Sequence, residues 1–423
     1  MNDPADWLAF DEALADVLAA CEPCGRERVS LAKSLGRALA EDVRSRVDHP
    51  PWDNSAMDGF AVRAEDVRGA AADRPLKLPI SDDIPAGAFP SGPLAPATVA
   101  RVMTGAPVPE GATGVVRIEH TDGGVGDVVS LFDDSDAQRN IRSRAENLQA
   151  GEKIARTGDE VTPALLGLMA IAGIESVETY RPPRVGILAN GDELVDFDRF
   201  DEVLDGRRIM NSNSYALAAQ LRAVGAIPVD LGIARDDPDS LRERMVGLDI
   251  CDALISSAGV SVGDHDHVKR VLDDLGFRRR FWRVRVRPGS ALLFGTLEGR
   301  AVWGVPGNPV SAVVAFETLV LPGVRRLAGH SATARRRMWA RTSEPIQATE
   351  GVRQFLRVRI EPSAGGPQVR LTGPQGSGIL ASMAAADGLL DVAEETGSIA
   401  AGDLVSVLPV RDFVTPMLSA DDG

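Results

Sequence analysis

The sequence predicts a multidomain protein with a central doubly wound α/β domain, an elongated helical domain with an inserted β domain, and a C-terminal β domain. The chain has 423 residues, which is too long for one compact core. Apolar strands alternate with helices over residues 184–327, as in parallel βαβ units covered on both faces. Short apolar runs separated by Gly, Pro and Asp fill 50–140 and recur in 331–423, which is typical of β domains.

Changes in the pattern of apolar and polar residues along the chain indicate the domain boundaries. The elongated helical domain is expected at 1–49 and 141–179, with the β domain inserted between its pieces at 50–140. The stiff segment Tyr180-Arg181-Pro182-Pro183 marks the next boundary. We therefore expect the α/β domain at 180–330 and the last β domain at 331–423.

Apolar residues recur at helical spacing in both outer pieces of the first domain. The stretches that show this spacing are Phe10 to Leu18, Leu31 to Leu39, and Leu165 to Ile171. In the C-terminal domain, Leu356, Val358 and Ile360 alternate with Arg357 and Arg359. That alternation predicts a half-buried antiparallel strand with its arginines in solvent.

The α/β domain carries the clearest pattern of alternating elements. Strands are expected at Arg184–Asn190, Ile227–Ile233, Asp252–Ser257, Phe281–Val286, Ala291–Gly295 and Ala301–Val305. Helices are expected at Asn213–Gly225, with Asn213 or Ser214 as the N-cap, after Pro238, at Asp264–Leu275 and at Pro309–Leu327.

The charge balance limits the classes of partner. The chain has 46 basic and 61 acidic side chains, a formal charge of −15. Nucleic-acid binding would need a basic face that displaces counterions. A small phosphorylated ligand is compatible with this charge, because backbone amides, a helix N-terminus and one cation can hold it.

Composition also indicates a cytoplasmic protein. The N-terminus is acidic and lacks the basic start of a signal peptide, and no apolar run reaches the roughly 18 residues of a membrane span. Three cysteines cannot form a disulfide framework. Cys21 and Cys24 have the spacing of a redox or zinc pair, but they follow a helix and have no second pair, so we expect them to be structural.

Four segments that follow strands predict one ligand site. They are Asn190–Glu193, Arg235–Pro238, Ser256–Asp266 and Pro306–Ser311, and all are rich in Gly, Ser, Asn and acids. Ligands of doubly wound sheets bind beyond the carboxyl ends of the strands. Small residues at Ser257–Gly263 and a helix start at Pro309 suit an oxyanion.

Glu193, Asp236, Asp264 and Asp266 would repel a phosphate unless Mg²⁺ bridged them. The neighbouring histidines, His265 and His267, are not expected to be ligands, because they point in different directions from the helix that follows.

Three further segments admit two interpretations each. Arg285 and Arg287 supply fixed positive charge or form a solvated strand edge. The segments Asp53–Phe60 and Met103–Pro107 concentrate polar side chains in what are either functional loops or ordinary turns.

Taken in order, these motifs resemble the molybdopterin molybdenumtransferase family, which includes MoeA and the gephyrin E domain. The matching segments are Asp53–Phe60, Met103–Pro109, Gly191–Leu194, Asn211–Leu217, Gly232–Pro238, Ser256–Asp266, Pro306–Ser311, Gly376–Gly378 and Ser382–Leu389. The resemblance implies an elongated helical domain, an inserted β domain, a molybdopterin-binding α/β domain and a C-terminal β barrel. It also implies a homodimer whose active site draws on both subunits.

The resemblance further implies a reaction in which adenylyl-molybdopterin and molybdate give molybdenum cofactor and AMP with the help of Mg²⁺. The residues expected to act in it are Asp58, Thr104, Glu193, Asp236 and Asp266. The residues expected to hold the pterin nucleotide are Ser257, Gly259, Ser261, Gly263, Arg287, Pro306, Asn308 and Pro309. Metal ligation is expected from Glu193, Asp236, Asp264 and Asp266.

The sequence departs from the family pattern at Asn147, Ala258 and Ser290, where a carboxylate, a glycine and a basic residue are usual. These departures keep two alternatives open. One is a catalytically weakened paralogue or scaffold that binds pterin. The other is a nucleotide pyrophosphatase built on the same α/β domain.

Overall fold

The computed structural model describes residues 7–124, 126–258 and 267–411. The predicted multidomain architecture is confirmed, with a six-stranded central sheet, a five-stranded inserted sheet and a closed barrel near the C-terminus. None of the helices in these described ranges is long and apolar enough to cross a membrane.

The first region alternates strands with short helices. Its elements are α1 (Phe10–Ala20), β1 (Arg26–Ser30), β2 (Val43–Arg44), β3 (Asn54–Ser55), β4 (Gly59–Val62), α2 (Ala64–Val67), β5 (Leu76–Ile84), β6 (Val99–Val102), β7 (Gly114–Arg117), β8 (Val128–Leu131), β9 (Ile141–Arg142), β10 (Lys153–Ala155), α3 (Pro163–Ile171) and β11 (Ser176–Tyr180). The pairs β1–β11 and β2–β10 are antiparallel and join the two pieces that flank the inserted domain.

The predicted helix over Leu31–Leu39 is wrong. Only a 3₁₀ turn forms there, at Leu31–Lys33. Leu35 is exposed whereas Leu39 is fully buried, and Gly36 has a φ of +75°. A left-handed residue interrupts a helix, so the leucine spacing does not form one apolar face.

Helix α1 packs against the central α/β core. Phe10, Ala13 and Val17 are buried and belong to the same hydrophobic cluster as Trp303 and Val324. Helix α1 therefore contacts the α/β domain, whereas α3 packs in a separate cluster with Val29.

The inserted domain is a five-stranded sheet in the order β7-β4-β6-β5-β8. Phe60, Val62 and Val116 form part of its own core. This sheet projects from β3 and β9, which pair with each other at its base.

The central domain contains β12 (Arg184–Asn190), β13 (Leu194–Val195), α4 (Asp201–Leu204), β14 (Ile209–Met210), α5 (Ser212–Ala223), β15 (Ile227–Ala234), α6 (Pro238–Met245), β16 (Ala253–Ser257), α7 (His267–Asp274), β17 (Arg278–Trp282), β18 (Val286–Arg287), β19 (Leu293–Leu297), β20 (Arg300–Val305), α8 (Pro309–Ala315) and α9 (Leu321–Leu327). The sheet order is β15-β12-β16-β20-β19-β17. The first four strands of that order are mutually parallel, so their carboxyl ends lie at one edge.

Two predictions in this domain need correction. The strand expected at Phe281–Val286 is divided between β17 in the central sheet and β18, which pairs with the C-terminal barrel. The predicted helix from Pro309 to Leu327 is confirmed as one run, but its middle is a buried π-helical turn at Phe316–Val320.

The C-terminal domain contains β21 (Met338–Thr342), β22 (Ile346–Gln347), β23 (Arg353–Glu361), β24 (Gln368–Leu371), α10 (Leu380–Ala384), β25 (Gly388–Val392), β26 (Ser398–Ile399) and β27 (Leu404–Pro409). The order β23-β24-β21-β27-β25 closes through pairing of β23 with β25. The predicted strand at 356–360 is confirmed, but Arg357 is fully buried rather than solvated.

Candidate functional site

Three of the four predicted loops meet in one cavity of about 500 Å³ at the carboxyl edge of the sheet. Glu193, Ser257, Pro306, Asn308 and Pro309 all line it. The loops come together because β12, β16 and β20 are parallel neighbours. Five residues predicted from three separate segments of the chain thus line one cavity.

Asn213, in the first turn of α5, connects the walls of the cavity. Its side-chain nitrogen donates to the hydroxyl of Ser257 at 2.8 Å and to the carbonyl of Gly307 at 2.9 Å. The buried Oδ1 of Asn213 has no hydrogen-bond partner among the described residues. A buried polar atom without a partner is costly, and this one belongs to a residue that lines the cavity.

The C-terminal barrel also supports the site. The Asn308 side chain donates to the hydroxyl of Ser377 at 3.1 Å, and the backbone amide of Val310 donates to the Ser377 carbonyl at 3.1 Å. The loop that starts helix α8 is therefore held by a residue of another domain. Pro309 is the first residue of α8, as the sequence predicted.

Glu193 and Asp236 have different surroundings. Glu193 lines the cavity, and a Cβ on Gly191 would lie only 2.6 Å from its carboxylate, so glycine lets this side chain fold back over the loop. Asp236 does not line the cavity. It accepts hydrogen bonds from the Asn190 side chain at 2.6 Å and from the Asp192 amide at 3.4 Å.

The remaining predicted ligands of this loop cluster cannot be placed. Gly259, Ser261, Gly263, Asp264 and Asp266 lie outside the described residues. Within the described ranges, no group of three or more His, Cys, Asp or Glu side chains could hold a metal ion. The four-carboxylate magnesium site therefore stays a prediction.

Arg287 is not brought to the cavity. It is exposed, and its guanidinium lies 3.4 Å from the Thr349 hydroxyl. Arg285 pairs with Glu394 at 3.1 Å and donates to the Trp7 carbonyl at 3.0 Å. For Arg285 these contacts favour a role in joining domains.

Asp58 and Thr104 form a pair on the inserted domain and do not line the cavity. One oxygen of Asp58 accepts from the Thr104 backbone amide at 2.7 Å and from its hydroxyl at 2.8 Å. These hydrogen bonds lower the pKa of Asp58 from its ordinary value. Both residues are exposed, so an ionised carboxylate lies at the surface of the inserted domain.

The three departures from the family pattern lie in different surroundings. Asn147 is exposed, and its backbone amide donates to His49. Ala258 has a φ of +70°, a conformation that glycine adopts more readily. The Ser290 carbonyl accepts from Val284 at 3.0 Å, within the segment that leads into the cavity at Ala291.

The cysteines are free thiols. Burial raises the pKa of both Cys21 and Cys24 to about 12, which disfavours the reactive thiolate. This surrounding agrees with the prediction that the pair is structural.

Comparison with known proteins covers nearly the whole chain. Family models match residues 8–173 (MoeA N-terminal region, domains I and II), 186–326 (probable molybdopterin binding domain) and 340–410 (MoeA C-terminal region, domain IV). Molybdopterin molybdenumtransferase 2 of Mycobacterium tuberculosis is 36% identical over 400 residues, covering 93% of this chain and 96% of the relative.

The chain belongs to the molybdopterin molybdenumtransferase (MoeA) family. Another relative with that name, from Nostoc, is 35% identical over 385 residues, covering 90% of this chain and 82% of the relative. The crystal structure of the MoeA protein from Pyrococcus horikoshii OT3 matches with a TM-score of 0.82 and 26% identity, covering 96% of this chain and 100% of that one. The arrangement of domains is thus that of the MoeA family.

Sequence reasoning missed several residues of this MoeA-type cavity. Ile209, Met210, Asn211 and Asn213 line it, and Ser377 supports it. The sequence predicts Asn213 or Ser214 as the N-cap of this helix, but the cap is Asn211, whose side chain accepts a hydrogen bond from the Ser214 amide. The sequence did contain one signal. Asn213 lies inside the first turn of α5, where its side chain has no capping role and is available for other contacts.

Proposed function

We propose that this chain inserts molybdenum from molybdate into adenylyl-molybdopterin in the cytoplasm, releasing AMP and molybdenum cofactor with the help of Mg²⁺. The observation that carries the proposal is the cavity shared by Glu193, Asn213, Ser257 and Asn308. Its hydroxyl and amide groups can form hydrogen bonds with the oxyanions of both substrates, and Mg²⁺ would offset the charge of its one carboxylate.

The chain's own groups would act mainly by positioning. Asn213 fixes Ser257 and the Gly307 backbone relative to each other, and Asn308 is fixed by Ser377. If these loops hold the phosphate group of the pterin nucleotide, its anhydride bond would lie beside the bound molybdate. Preorganised positioning of two reactants removes much of the entropic barrier to their reaction.

Mg²⁺ would be held by Glu193 and Asp236, together with Asp264 and Asp266. Carboxylate oxygens are its usual protein ligands. The buried Oδ1 of Asn190, beside Asp236, has no hydrogen-bond partner among the described residues, which fits a cation near this loop. When bound, the ion would polarise the phosphoanhydride.

We also propose a homodimer in which Asp58 and Thr104 of one subunit complete the cavity of the other. Their exposure and their absence from the cavity of their own chain support this arrangement. Asp58→Ala and Glu193→Gln chains should each be impaired alone, and mixing them should restore part of the activity, because some mixed dimers would contain one intact site. Failure of mixing to restore any activity, although the chains exchange, would argue against shared sites.

The test of the proposed function is AMP release by purified protein given adenylyl-molybdopterin, molybdate and MgCl₂. Wild-type protein should release AMP only when molybdate is present, and Glu193→Gln should slow release by about 100-fold. Glu298→Gln is the matched control, because Glu298 lies in the turn between β19 and β20 and pairs with Arg300, and should react at the wild-type rate.

Two other outcomes would contradict the proposal. Binding of the adenylated pterin without any turnover would indicate a pterin-binding scaffold. Release of AMP from unrelated nucleotides, without need for molybdate, would indicate a pyrophosphatase.

A further inference from the structure

The candidate functional cavity has an apolar wall that the proposed reaction does not yet use. This apolar wall consists of Leu194, Ile209 and Met210, which line the cavity from the two-stranded ribbon β13–β14. The polar side chains of Ser257 and Asn308 line it from the end of β16 and from the loop after β20. Phosphate oxygens bind to hydrogen-bond donors, so a ligand made of phosphate alone would gain nothing from the ribbon.

The ribbon holds the apolar wall in a fixed position. Its strands pair in parallel, with Leu194 opposite Ile209, and residues in register present their side chains on the same face of a sheet. The Ile209 amide donates to the Glu193 carbonyl at 2.9 Å, and the Asn211 amide donates to the Val195 carbonyl at 3.0 Å. Asn211 is also the N-cap of α5, so the ribbon is joined directly to the helix that positions Asn213.

Ile209 is the most exposed part of this wall. Its side chain lines the cavity, yet the residue is 55% exposed, whereas Leu194 and Met210 are half-buried. Removal of apolar surface from water is favourable whether the covering group is protein or ligand. A ligand that covers Ile209 would therefore gain affinity from a side chain that the fold itself leaves in solvent.

The two kinds of surface in one cavity fit a ligand with two kinds of group. The cavity has a volume of about 500 Å³, which suits a small organic molecule, and such sites combine apolar walls with a few polar groups that fix orientation. Apolar surface favours a ring system, and the hydroxyl of Ser257 and the amide of Asn308 favour a phosphate.

We propose that the apolar wall binds a heterocyclic ring system of a phosphorylated ligand, while the phosphate contacts Ser257 and Asn308. The inference rests on the proposed function, whose substrate, adenylyl-molybdopterin, carries two such ring systems, pterin and adenine. Ile209 is then a specificity-determining residue, because it favours ligands that carry a ring over phosphate alone. Met210 suits the same role, since its thioether makes favourable contacts with aromatic rings.

Titration calorimetry of the full chain, with MgCl₂ but without molybdate, measures binding separately from turnover. Ile209→Ser should weaken the affinity for adenylyl-molybdopterin about tenfold, because serine removes most of the apolar contact. Ile209→Leu should bind within about twofold of wild type, because it keeps an apolar side chain of the same size. Inorganic pyrophosphate, a probe without a ring, should bind equally to all three proteins.

Leu204→Ser is the matched control for Ile209→Ser. Leu204 ends helix α4 and is 72% exposed, but it does not line the cavity. It should bind every ligand as wild type does. Melting temperatures close to that of wild type would show that both serine variants fold, because substitution of an exposed side chain changes stability little.

Titration with AMP identifies the ring that the wall binds. Weaker binding of AMP by Ile209→Ser would indicate adenine, and weaker binding of adenylyl-molybdopterin alone would indicate the pterin. Equal affinities of Ile209→Ser and Leu204→Ser for adenylyl-molybdopterin overturn the proposal, and so does an equal loss of pyrophosphate binding. A second copy of this chain covering Ile209 would instead change the mass of Ile209→Ser in sedimentation with ligand affinity unchanged, which also overturns it.

The proposed function and the role of the apolar wall can fail separately. If wild type binds adenylyl-molybdopterin but releases no AMP when molybdate is added, the function is wrong, and the comparison of Ile209→Ser with wild type still decides the role of the wall. If wild type releases AMP and Ile209→Ser binds as tightly, only the role of the wall is wrong. Absence of any binding by wild type overturns both.

Discussion

The side-chain nitrogen of Asn213 lies 2.8 Å from the hydroxyl oxygen of Ser257 and donates a hydrogen bond to it. The same nitrogen donates to the Gly307 carbonyl at 2.9 Å. One amide thus joins helix α5 to the last residue of β16 and to the loop that follows β20. The geometry of the cavity depends on this amide more directly than on any of the acids predicted from the sequence.

Asn213→Asp should damage both stability and activity. The new carboxylate has the same shape but cannot donate, and it faces the Gly307 carbonyl. Loss of two buried hydrogen bonds should lower the free energy of unfolding by about 2 kcal/mol. AMP release should fall by about 10- to 100-fold, because Ser257 and Gly307 lose their fixed spacing.

Asn140→Asp is the matched control for Asn213→Asp. Asn140 donates to the Val115 carbonyl at 2.9 Å, within the inserted domain. The Asn140→Asp variant should have a lower free energy of unfolding in denaturant but the wild-type rate of AMP release. Equal losses of activity in the two variants would show that the effect of Asn213 is on folding alone.

Thr104→Val should raise the pKa of Asp58 without restoring its ordinary value. The Thr104 backbone amide is the larger cause of the lowered pKa, and the hydroxyl is the second. Valine removes only the hydroxyl. A carboxylate with a lowered pKa stays ionised to more acidic pH, so activity that needs ionised Asp58 should fail at higher pH in the variant than in wild type.

Carboxyl-carbon NMR measures this change, with Asp58→Asn to assign the signal. Asp122 is an internal control, because hydrogen bonds from Ser130 lower its pKa and Thr104 does not contact it in the described structure. An unchanged Asp58 titration in Thr104→Val would mean that the hydroxyl does not stabilise the carboxylate.

The sequence predicted the parts of the site that follow from strand order. Strand β12 has the predicted bounds, and parallel neighbours bring Glu193, Ser257 and Asn308 to one edge. Apolar strands, and the Gly- and Asn-rich loops after them, can be recognised from short stretches of sequence. Because ligands of parallel sheets bind at the carboxyl ends of the strands, these loops predict where the site lies.

The sequence could not show which loop residues reach the cavity. Asp236 and Arg287 have suitable chemistry, but Asp236 accepts a hydrogen bond from Asn190, and Arg287 belongs to β18, which pairs with the barrel strand β23. Both outcomes depend on contacts between segments that are distant along the chain. The same reason explains Arg357, since alternation along a strand cannot reveal that a loop closes over one of its polar positions.

Arg357→Met should loosen the barrel loop that supports Asn308. The fully buried Arg357 donates to the Ser382 hydroxyl at 3.0 Å, the Pro374 carbonyl at 3.0 Å and the Gly376 carbonyl at 3.2 Å. Burial lowers the pKa of this guanidinium. Methionine fills the space but cannot donate, so the free energy of unfolding should fall by about 3 kcal/mol.

The substrate KM of Arg357→Met should rise about tenfold, because Gly376 precedes the Ser377 that holds Asn308. Arg357→Lys should not restore either property, since a single ammonium cannot reproduce the fork of donors. The control is Arg359→Met, because Arg359 is an exposed residue of the same strand. A KM equal to that of wild type in Arg357→Met would mean that the loop keeps its position without the arginine.

His330 should make the protein less stable as the pH falls from about 6.5 to about 4. Burial, with the nearby positive charge of Arg325, lowers its pKa from 6.5 to about 4. Between these values the unfolded chain binds a proton that the folded chain does not, so the free energy of unfolding decreases as the pH decreases. The full contribution is on the order of 3 kcal/mol.

Because asparagine does not titrate, the difference between wild type and His330→Asn isolates this contribution from that of the carboxylates. Urea unfolding of both proteins at about pH 7, 5.5 and 4, which span the two pKa values of the imidazole, measures this difference. Wild type should lose more stability than His330→Asn between the first and last pH. Parallel losses in the two proteins would mean that the imidazole accepts its proton as readily in the folded chain as in the unfolded one.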